Sequence, residues 1–385
     1  VTIDGKSHPM KIGKFIRYYF PSIISDKEAS EFSRLYNKIR KGEPVQLGSE
    51  IVVKKFAYNP KDVRSTFLSL VTKTYPHGHE DEVLQFLPSL QKDEVGNYYK
   101  IIGKNPQTMF TSHLDTADRE QSVTKLYSMI ENDEEYIVTD ESTILGADDK
   151  SGVAVMLYMM SHNIPGLYYF FIGEERGGIG SNKLSRTYDT VSYLKDIKRC
   201  VSFDRRNYHS VITSQLGRRC CSDEFGTALC KEYNKNGLDL SLDPTGIYTD
   251  SASFIDDIRE CTNISVGYFH EHTGQEYQNM NYLISLCEAS IKVNWNSLPT
   301  TRKVGIDQEI VNKHKGLIND IKSSVFELEV KVIGDSGKVF VRVDLDDSDI
   351  ESISDGLSSV KSLLMKYKMD PDVLFDGTYL KIELK

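Results

Sequence analysis

The chain of 385 residues carries 47 Lys and Arg against 56 Asp and Glu, a formal net charge of −9 that argues against a nucleic-acid partner. With 39% hydrophobic and 27% charged residues, and no apolar run of membrane-spanning length, it reads as a globular protein of two or three domains and not a membrane protein. Its six cysteines are too few for a disulfide framework and lack zinc-knuckle spacing, so a reducing, cytoplasmic compartment is expected.

Residues 1–65 read as an N-terminal appendage. Helical spacing runs from Ile24 to Ile39 behind Asp26 as a cap, and Glu50 to Phe56 suits a strand. A second, regularly patterned domain is expected over 66–296. There, Glu80 to Leu90 is amphipathic, Gly96 to Ile102 alternates like a strand, and Thr108 to Thr111 is a short apolar strand entering Ser-His-Leu-Asp. At 144–152 the sequence Ile-Leu-Gly-Ala-Asp-Asp-Lys-Ser-Gly is a loop-to-helix junction, followed by an apolar run from Val153 to Met160. Leu167 to Ile172, Cys200 to Phe203 and Asn263 to Phe269 are near-continuous apolar runs, the pattern of strands buried on both faces, and helices are expected over Asp223 to Asn236 and Glu276 to Val293. Strands alternating with helices imply an α/β fold, a three-layer sandwich with a mainly parallel central sheet. Residues 297–385 change character: strands over Val325 to Ile333 and Lys338 to Val343, a helix over Ile350 to Tyr367 and a strand over Tyr379 to Leu384 make a small accessory α+β domain.

The informative residues collect where the expected strands end: His113 and Asp115, the loop with Asp148 and Asp149, Glu174 and Glu175, Asp204, and His272. Open α/β sheets bind ligands at the carboxyl ends of their strands. The separations suit strand–helix repeats: 35 residues from His113 to Asp148, 26 from Asp148 to Glu174, 29 from Glu175 to Asp204 and 68 from Asp204 to His272. Taken alone, Asp148 and Asp149 could be a helix cap and a first-turn acid. In this company they supply what a two-metal site needs. Two ions about 3.5–4 Å apart share a bridging carboxylate, each takes a histidine and a carboxylate from elsewhere, and one unligated carboxylate shuttles protons.

At these residues the sequence resembles a family. Ser-His-Leu-Asp-Thr at 112–116, Leu-Gly-Ala-Asp-Asp-Lys-Ser-Gly at 145–152, Gly-Glu-Glu at 173–175, Phe-Asp-Arg-Arg at 203–206 and His-Thr-Gly-Gln-Glu at 272–276 look like successive motifs of the co-catalytic zinc exopeptidases. That clan includes peptidase T, the bacterial leucyl aminopeptidases and the glutamate carboxypeptidases. The resemblance covers roughly 70–295. It implies that His113 and Asp204 hold a first metal, Glu175 and His272 a second, and Asp148 bridges both, across an Asp148–Asp149 peptide that is commonly cis in the clan. Asp115 would orient His113, and Glu174 would be the general base, although the two glutamates could exchange roles. The cofactors implied are two divalent ions, zinc first, with cobalt or manganese suited to similar ligands.

Other residues stay open. Family wording selects His272 over His270, and His77 and His79 read as surface residues. Thr-Asp-Ser-Ala-Ser-Phe at 249–254 resembles a Ser-Asp-His-Ala-Ser-Trp loop of the aminopeptidase branch but has Ser251 in place of its histidine, which leaves Asp250 a candidate substrate-side residue. Tyr248 is a candidate for stabilising a transition state through its hydroxyl. Arg205 and Arg206 could orient a substrate carboxylate or pair with local acids. The peptidase T and carboxypeptidase branch inserts a dimerisation domain before the last histidine, and the 68-residue gap here has no room for one. Terminal segments would then supply any lid or contact in a homo-oligomer or larger assembly.

The expected function is a di-metal hydrolase, a metallopeptidase cleaving an amide bond near a peptide terminus by metal-activated water. An aminopeptidase acting on peptide or amino-acyl substrates is the leading reading. A carboxypeptidase or deacylase is the alternative, and a catalytically silent binding or structural protein is the rival of another class.

Overall fold

The structure, a computed structural model, describes residues 2–3, 6–7, 50–51, 59–304, 308–324, 330–335, 338–344, 350–367, 373–375 and 379–384. The helix expected over Ile24 to Ile39, and most of the strand expected over Glu50 to Phe56, lie outside these residues. The chain divides into two units, Val1–Ser49 and Glu50–Lys385. The first is described only at an antiparallel ribbon pairing Thr2–Ile3 with Lys6–Ser7. The second begins at Glu50. Two contacts explain this: Glu50–Ile51 pairs with Leu126–Glu131, and the Arg64 guanidinium forks onto Glu135 at 2.7 and 2.8 Å.

Within the larger unit, the main sheet is built from β1 (Gln91–Lys92), β2 (Tyr98–Ile102), β3 (Thr108–His113), β4 (Gly166–Phe171), β5 (Arg199–Arg205), β6 (Ser210–Ile212), β7 (Ser241–Asp243) and β8 (Glu260–Ser265). Among the described residues its order is β7-β6-β8-β5-β3-β4-β2-β1. The central four strands, β8, β5, β3 and β4, run parallel, whereas β2 joins β4 and β6 joins β8 antiparallel. The sheet is therefore mixed: its four middle strands are parallel, as expected, and at one edge β7 also pairs parallel with β6.

Side-chain alternation divides each central strand between two cores. Leu167, Tyr169 and Phe171 of β4, Met109 of β3 and Cys200 of β5 enter one cluster; Tyr168, Phe170, Phe110, Val201 and Phe203 enter the other. This is why the strands read as continuous apolar runs. Helices α1 (Val63–Leu70), α2 (Ala147–Ser161), α4 (Asp223–Asn234) and α5 (Met280–Ser290) supply the second cluster, and α3 (Ile179–Arg186) supplies Leu184 to the first. The result is helix, sheet, helix.

Helix α2 is buried on all sides, lying on β3 and β5 between α1 and α5. Its residue 152 must be glycine. A β-carbon there would stand 2.0 Å from the Phe203 carbonyl and 2.6 Å from the Asp149 carboxylate, so the helix approaches β5 more closely than any side chain permits.

A second, antiparallel sheet runs through Tyr268–Phe269, Tyr277–Asn279, Glu134–Val138, Leu126–Glu131 and Glu50–Ile51. It changes two expectations. The apolar run from Asn263 to Phe269 is split at Gly267, whose φ of +89° turns the chain out of the main sheet. The helix expected from Glu276 starts only at Met280, because Tyr277–Asn279 is a strand and the Asn279 side chain caps the helix by accepting from Tyr282 N.

Residues 330–384 add a four-stranded antiparallel sheet with helices Lys315–Ser324 and Ile350–Lys366 over a core that includes Leu317, Ile321, Val341, Leu364 and Ile382. Among the described residues, no helix is long and apolar enough to cross a membrane.

Replacing Gly152 by alanine is expected to destabilise the protein by an amount at or above the upper end of the roughly 1–3 kcal/mol typical of overpacking, because a backbone carbonyl cannot move aside as a flexible side chain can. Thermal unfolding of the metal-free chain measures this; an unchanged melting temperature would contradict the close approach.

Candidate active site

The residues singled out from the sequence arrive by separate routes. His113 is the last residue of β3, and Asp115 lies two residues beyond. Asp148 and Asp149 open α2 in non-helical conformations, joined by a cis peptide. Glu174 and Glu175 occupy a 3-10 turn after β4, entered through left-handed Gly173. Asp204 sits near the end of β5. His272 comes from the loop between Tyr268–Phe269 and Tyr277–Asn279 in the second sheet, not directly from a main-sheet strand.

These routes converge on the Asp148 carboxylate. Its Oδ1 lies 3.0 Å from His113 Nε2, and its Oδ2 lies 3.1 Å from His272 Nε2. Each histidine reaches a second carboxylate: His113 Nε2 is 3.7 Å from Asp204 Oδ1, and His272 Nε2 is 3.0 Å from Glu175 Oε1. Two three-residue groups therefore share one carboxylate, with one oxygen facing each group. Ligand atoms about 2.0–2.2 Å from a tetrahedral zinc stand about 3.4 Å from one another. Separations of 3.0–3.7 Å are close to that edge, and the ligand atoms of His113, Asp148 and Glu175, and of His113, Asp149 and Asp204, also lie near enough to one another to hold a metal ion, so the donor set suits a divalent cation.

Two buried carboxylates clip the loops together. Asp115 accepts from the backbone N–H of Glu174 (3.0 Å) and of Glu175 (3.1 Å), while its Oδ1 lies 3.4 Å from His113 Nδ1. Glu276 accepts from Gly146 N (2.7 Å) and Asp148 N (2.9 Å), tying the His272 loop to the Asp148 loop. Asp149 points away from Asp148: its Oδ1 accepts from Gly152 N at 3.1 Å, a helix cap, and its Oδ2 accepts from His113 N at 3.3 Å. Lys150 is fully buried, with Nζ donating to Leu114 O at 2.6 Å. Asp204 accepts from Thr249 Oγ1 at 2.5 Å and from the Tyr268 hydroxyl at 3.2 Å.

Charge is the dominant physical fact of the site. Asp115, Asp148, Asp149, Glu174, Glu175, Asp204, Asp250 and Glu276 are eight carboxylates facing Lys150, His113 and His272, an excess of five negative charges even with both imidazoles protonated. Without metal the cluster answers by holding protons. Burial, then the charge of Asp148, pushes Asp204 up to about 6; burial pushes Asp250 up to about 7, Glu276 up to about 8 and Glu174 well above the carboxylate range. Asp148 followed by Glu175 raises His272 to about 11. Burial opposes a charged His113, but Asp115, Asp148 and Asp204 outweigh it and hold its pKa well above the usual value. Cations would relieve the same imbalance.

The cluster opens into a cleft lined by Asp148, Glu174, Asp204, Arg205, Gln215 and Tyr248, among others. The Tyr248 ring forms wall, but its hydroxyl is engaged by Ser253 (3.1 Å) and Ser181 (3.2 Å). Asp250 is buried and does not line the cleft. Arg205 lines the cleft beside Asp243, and Arg206 bonds Glu271 at 2.9 Å. His270 lies against the ring of Tyr277. His77 and His79 are both exposed, as expected; His77 is also held at 2.6 Å by buried Glu80, and a β-carbon at Gly173 would stand 3.1 Å from its ring. Sequence reasoning left Glu276 and Lys150 without roles; for Glu276 the signal was an acid four residues after His272.

Fold and site together define a helix–sheet–helix sandwich with a two-lobed histidine–carboxylate cluster at the strand ends. No protein-family model matches the sequence. The chain is 34% identical over 161 residues to the uncharacterized protein YqjE of Bacillus subtilis, a match taking in 35% of this chain and 42% of that protein, so it spans less than half of that relative's length. Among solved structures it is similar to aminopeptidase PepT from Bacillus cereus, at 17% identity, 61% of this chain, 98% of that chain and a TM-score of 0.49. A tripeptidase from Staphylococcus aureus gives 17% identity, 61% and 97% coverage and a TM-score of 0.47. The TET1 peptidase of Pyrococcus horikoshii gives 13%, 60%, 98% and 0.46.

Because both histidines hold protons in the cation-free cluster and a metal ligand must be neutral imidazole, metal uptake at pH 7 is expected to release about two protons or more, and affinity falls as pH falls. Calorimetry of zinc uptake in buffers of different ionisation enthalpy measures the number. A release of zero would contradict His113 and His272 as ligands.

Proposed function

We propose that this protein is a two-metal hydrolase, an aminopeptidase that cleaves the amide bond beside a free amino terminus, with residues 66–296 as its catalytic domain. The observation that carries the reading is the Asp148 carboxylate, whose two oxygens face two different histidines at 3.0 and 3.1 Å, each histidine backed by a further carboxylate. His113 and Asp204 would hold one ion, His272 and Glu175 the other, and Asp148 both. When bound, such a pair lowers the pKa of a water and polarises a carbonyl oxygen.

The chain's own residues supply the rest. Glu174 shares the turn of Glu175 and lines the cleft, yet it makes neither of the short histidine contacts. It is the proton shuttle: it takes a proton from the attacking water and delivers it to the nitrogen as the carbon–nitrogen bond breaks. Burial raises its pKa, which suits a carboxylate that must hold a proton between these two moments. Asp115 positions the shuttle by binding the backbone of its turn, and through the same carboxylate it faces His113. Glu276 positions Asp148 by the same device. The ring of Tyr248 shapes the substrate side of the cleft.

Glu174→Gln is expected to keep about two equivalents of metal and lose about 10²–10⁴-fold in kcat, the usual contribution of a positioned acid–base group. Elemental analysis and a screen of aminoacyl anilides and dipeptides with zinc, cobalt and manganese read both quantities. Undiminished turnover in that variant would remove Glu174 from the mechanism, and equal cleavage of amino-blocked peptides would remove the aminopeptidase assignment.

A further inference from the structure

The cleft wall contains a cation that the hydrolytic chemistry does not use. β5 loses its regular register with β8 between Ser202 and Arg205, an irregularity that re-aims side chains, so the consecutive residues Asp204 and Arg205 both line the cleft. The Arg205 side chain is only 16% exposed, and its Nε is buried with no hydrogen-bond partner. Its Nη2 makes two long contacts, 3.4 Å to Asp243 Oδ2 and 3.3 Å to Thr245 Oγ1. Asp243 is its ion-pair partner, but that carboxylate is shared, since it also accepts from Ser210 Oγ at 2.7 Å, Thr245 N at 2.8 Å and Thr245 Oγ1 at 2.5 Å. Arg206, by contrast, is engaged by Glu271 at 2.9 Å.

A guanidinium carries five donors in a planar fork shaped for a carboxylate, and a buried donor left without a partner is costly. Beside the Asp204 end of the cluster, Arg205 is an incomplete carboxylate cradle. The geometry points to Arg205 as the group that binds a carboxylate of the substrate, so that the preferred peptides carry a negative charge close to the scissile bond. This rests on the hydrolase reading above and adds a substrate class to it. The carboxylate has two sources: the side chain of an acidic residue, or the free terminus of a very short peptide.

The full chain reconstituted with zinc is assayed on two pairs of probes, glutamyl against glutaminyl p-nitroanilide and Leu-Gly against leucyl-glycinamide. Within one pair the charged member is expected to have the higher kcat/KM by about tenfold or more, mainly through KM, in keeping with a charged hydrogen bond; the pair that discriminates names the source. Arg205→Gln is expected to abolish that ratio and Arg205→Lys to keep part of it, since lysine retains the charge but not the fork. A ratio near one for both pairs in the wild type, or a ratio that survives Arg205→Gln, overturns the proposal. Calorimetric binding of glutamate against glutamine, and of glycine against glycinamide, to wild type and Arg205→Gln reads the same preference without turnover. If the wild type cleaves none of the amides, the hydrolase reading fails. Arg205 is then decided by calorimetry alone: anion binding lost in Arg205→Gln upholds it, and binding unaffected by the substitution overturns it.

Discussion

Eight carboxylates crowded at the ends of buried strands cannot all be ionised in a site with one lysine and two histidines. That electrostatic constraint governs the rest of the structure. It explains why buried Asp204 and Glu276 hold protons well above the carboxylate range, why both imidazoles face acids, and why a lysine is taken fully out of water beside them. A site built at this electrostatic cost makes physical sense if cations of higher charge replace the protons.

Holding such a cluster open requires rigid supports, and the supports are also carboxylates. Asp115 binds the backbone of the Glu174 turn and Glu276 binds the backbone of the Asp148 loop, so four loops from distant parts of the chain are joined pairwise by charge-assisted hydrogen bonds. Underneath, the two-faced strands and the glycine contact of α2 with β5 set the distance between Asp148 and Asp204. The packing of the sandwich and the spacing of the candidate ligands are one design.

Much of this was legible in the chain. Runs such as Leu167 to Ile172 announce strands buried on both faces because both sides of the sheet are covered by apolar clusters. His, Asp and Glu at the ends of those runs stand out because ligand-type residues rarely border buried strands without a task. Other features were not legible. The hairpin of Leu126–Glu131 and Glu134–Val138 turns on Asn132 and Asp133, both with positive φ, a two-residue signal without the usual glycine. Helix Lys315–Ser324 and the late start of α5 likewise went unread, the latter because Tyr277–Asn279 pairs with strands far away in the sequence.

What the sequence determined by itself was the inventory: the fold class, the order of the strands' polar ends and the identity of the residues gathered there. Local pattern carries that information, since periodicity and composition act within a few residues. Only the tertiary structure decided how adjacent residues divide their work. Asp148 faces two histidines while Asp149 caps a helix, Glu175 meets His272 while Glu174 stays apart, and Arg205 turns into the cleft beside Asp204. Those distinctions depend on side-chain direction and on distant partners: His113 and His272 lie 35 and 124 residues from Asp148, and Glu175 lies 97 residues from His272. Direction and distant contact are set by packing, which no local stretch of sequence contains.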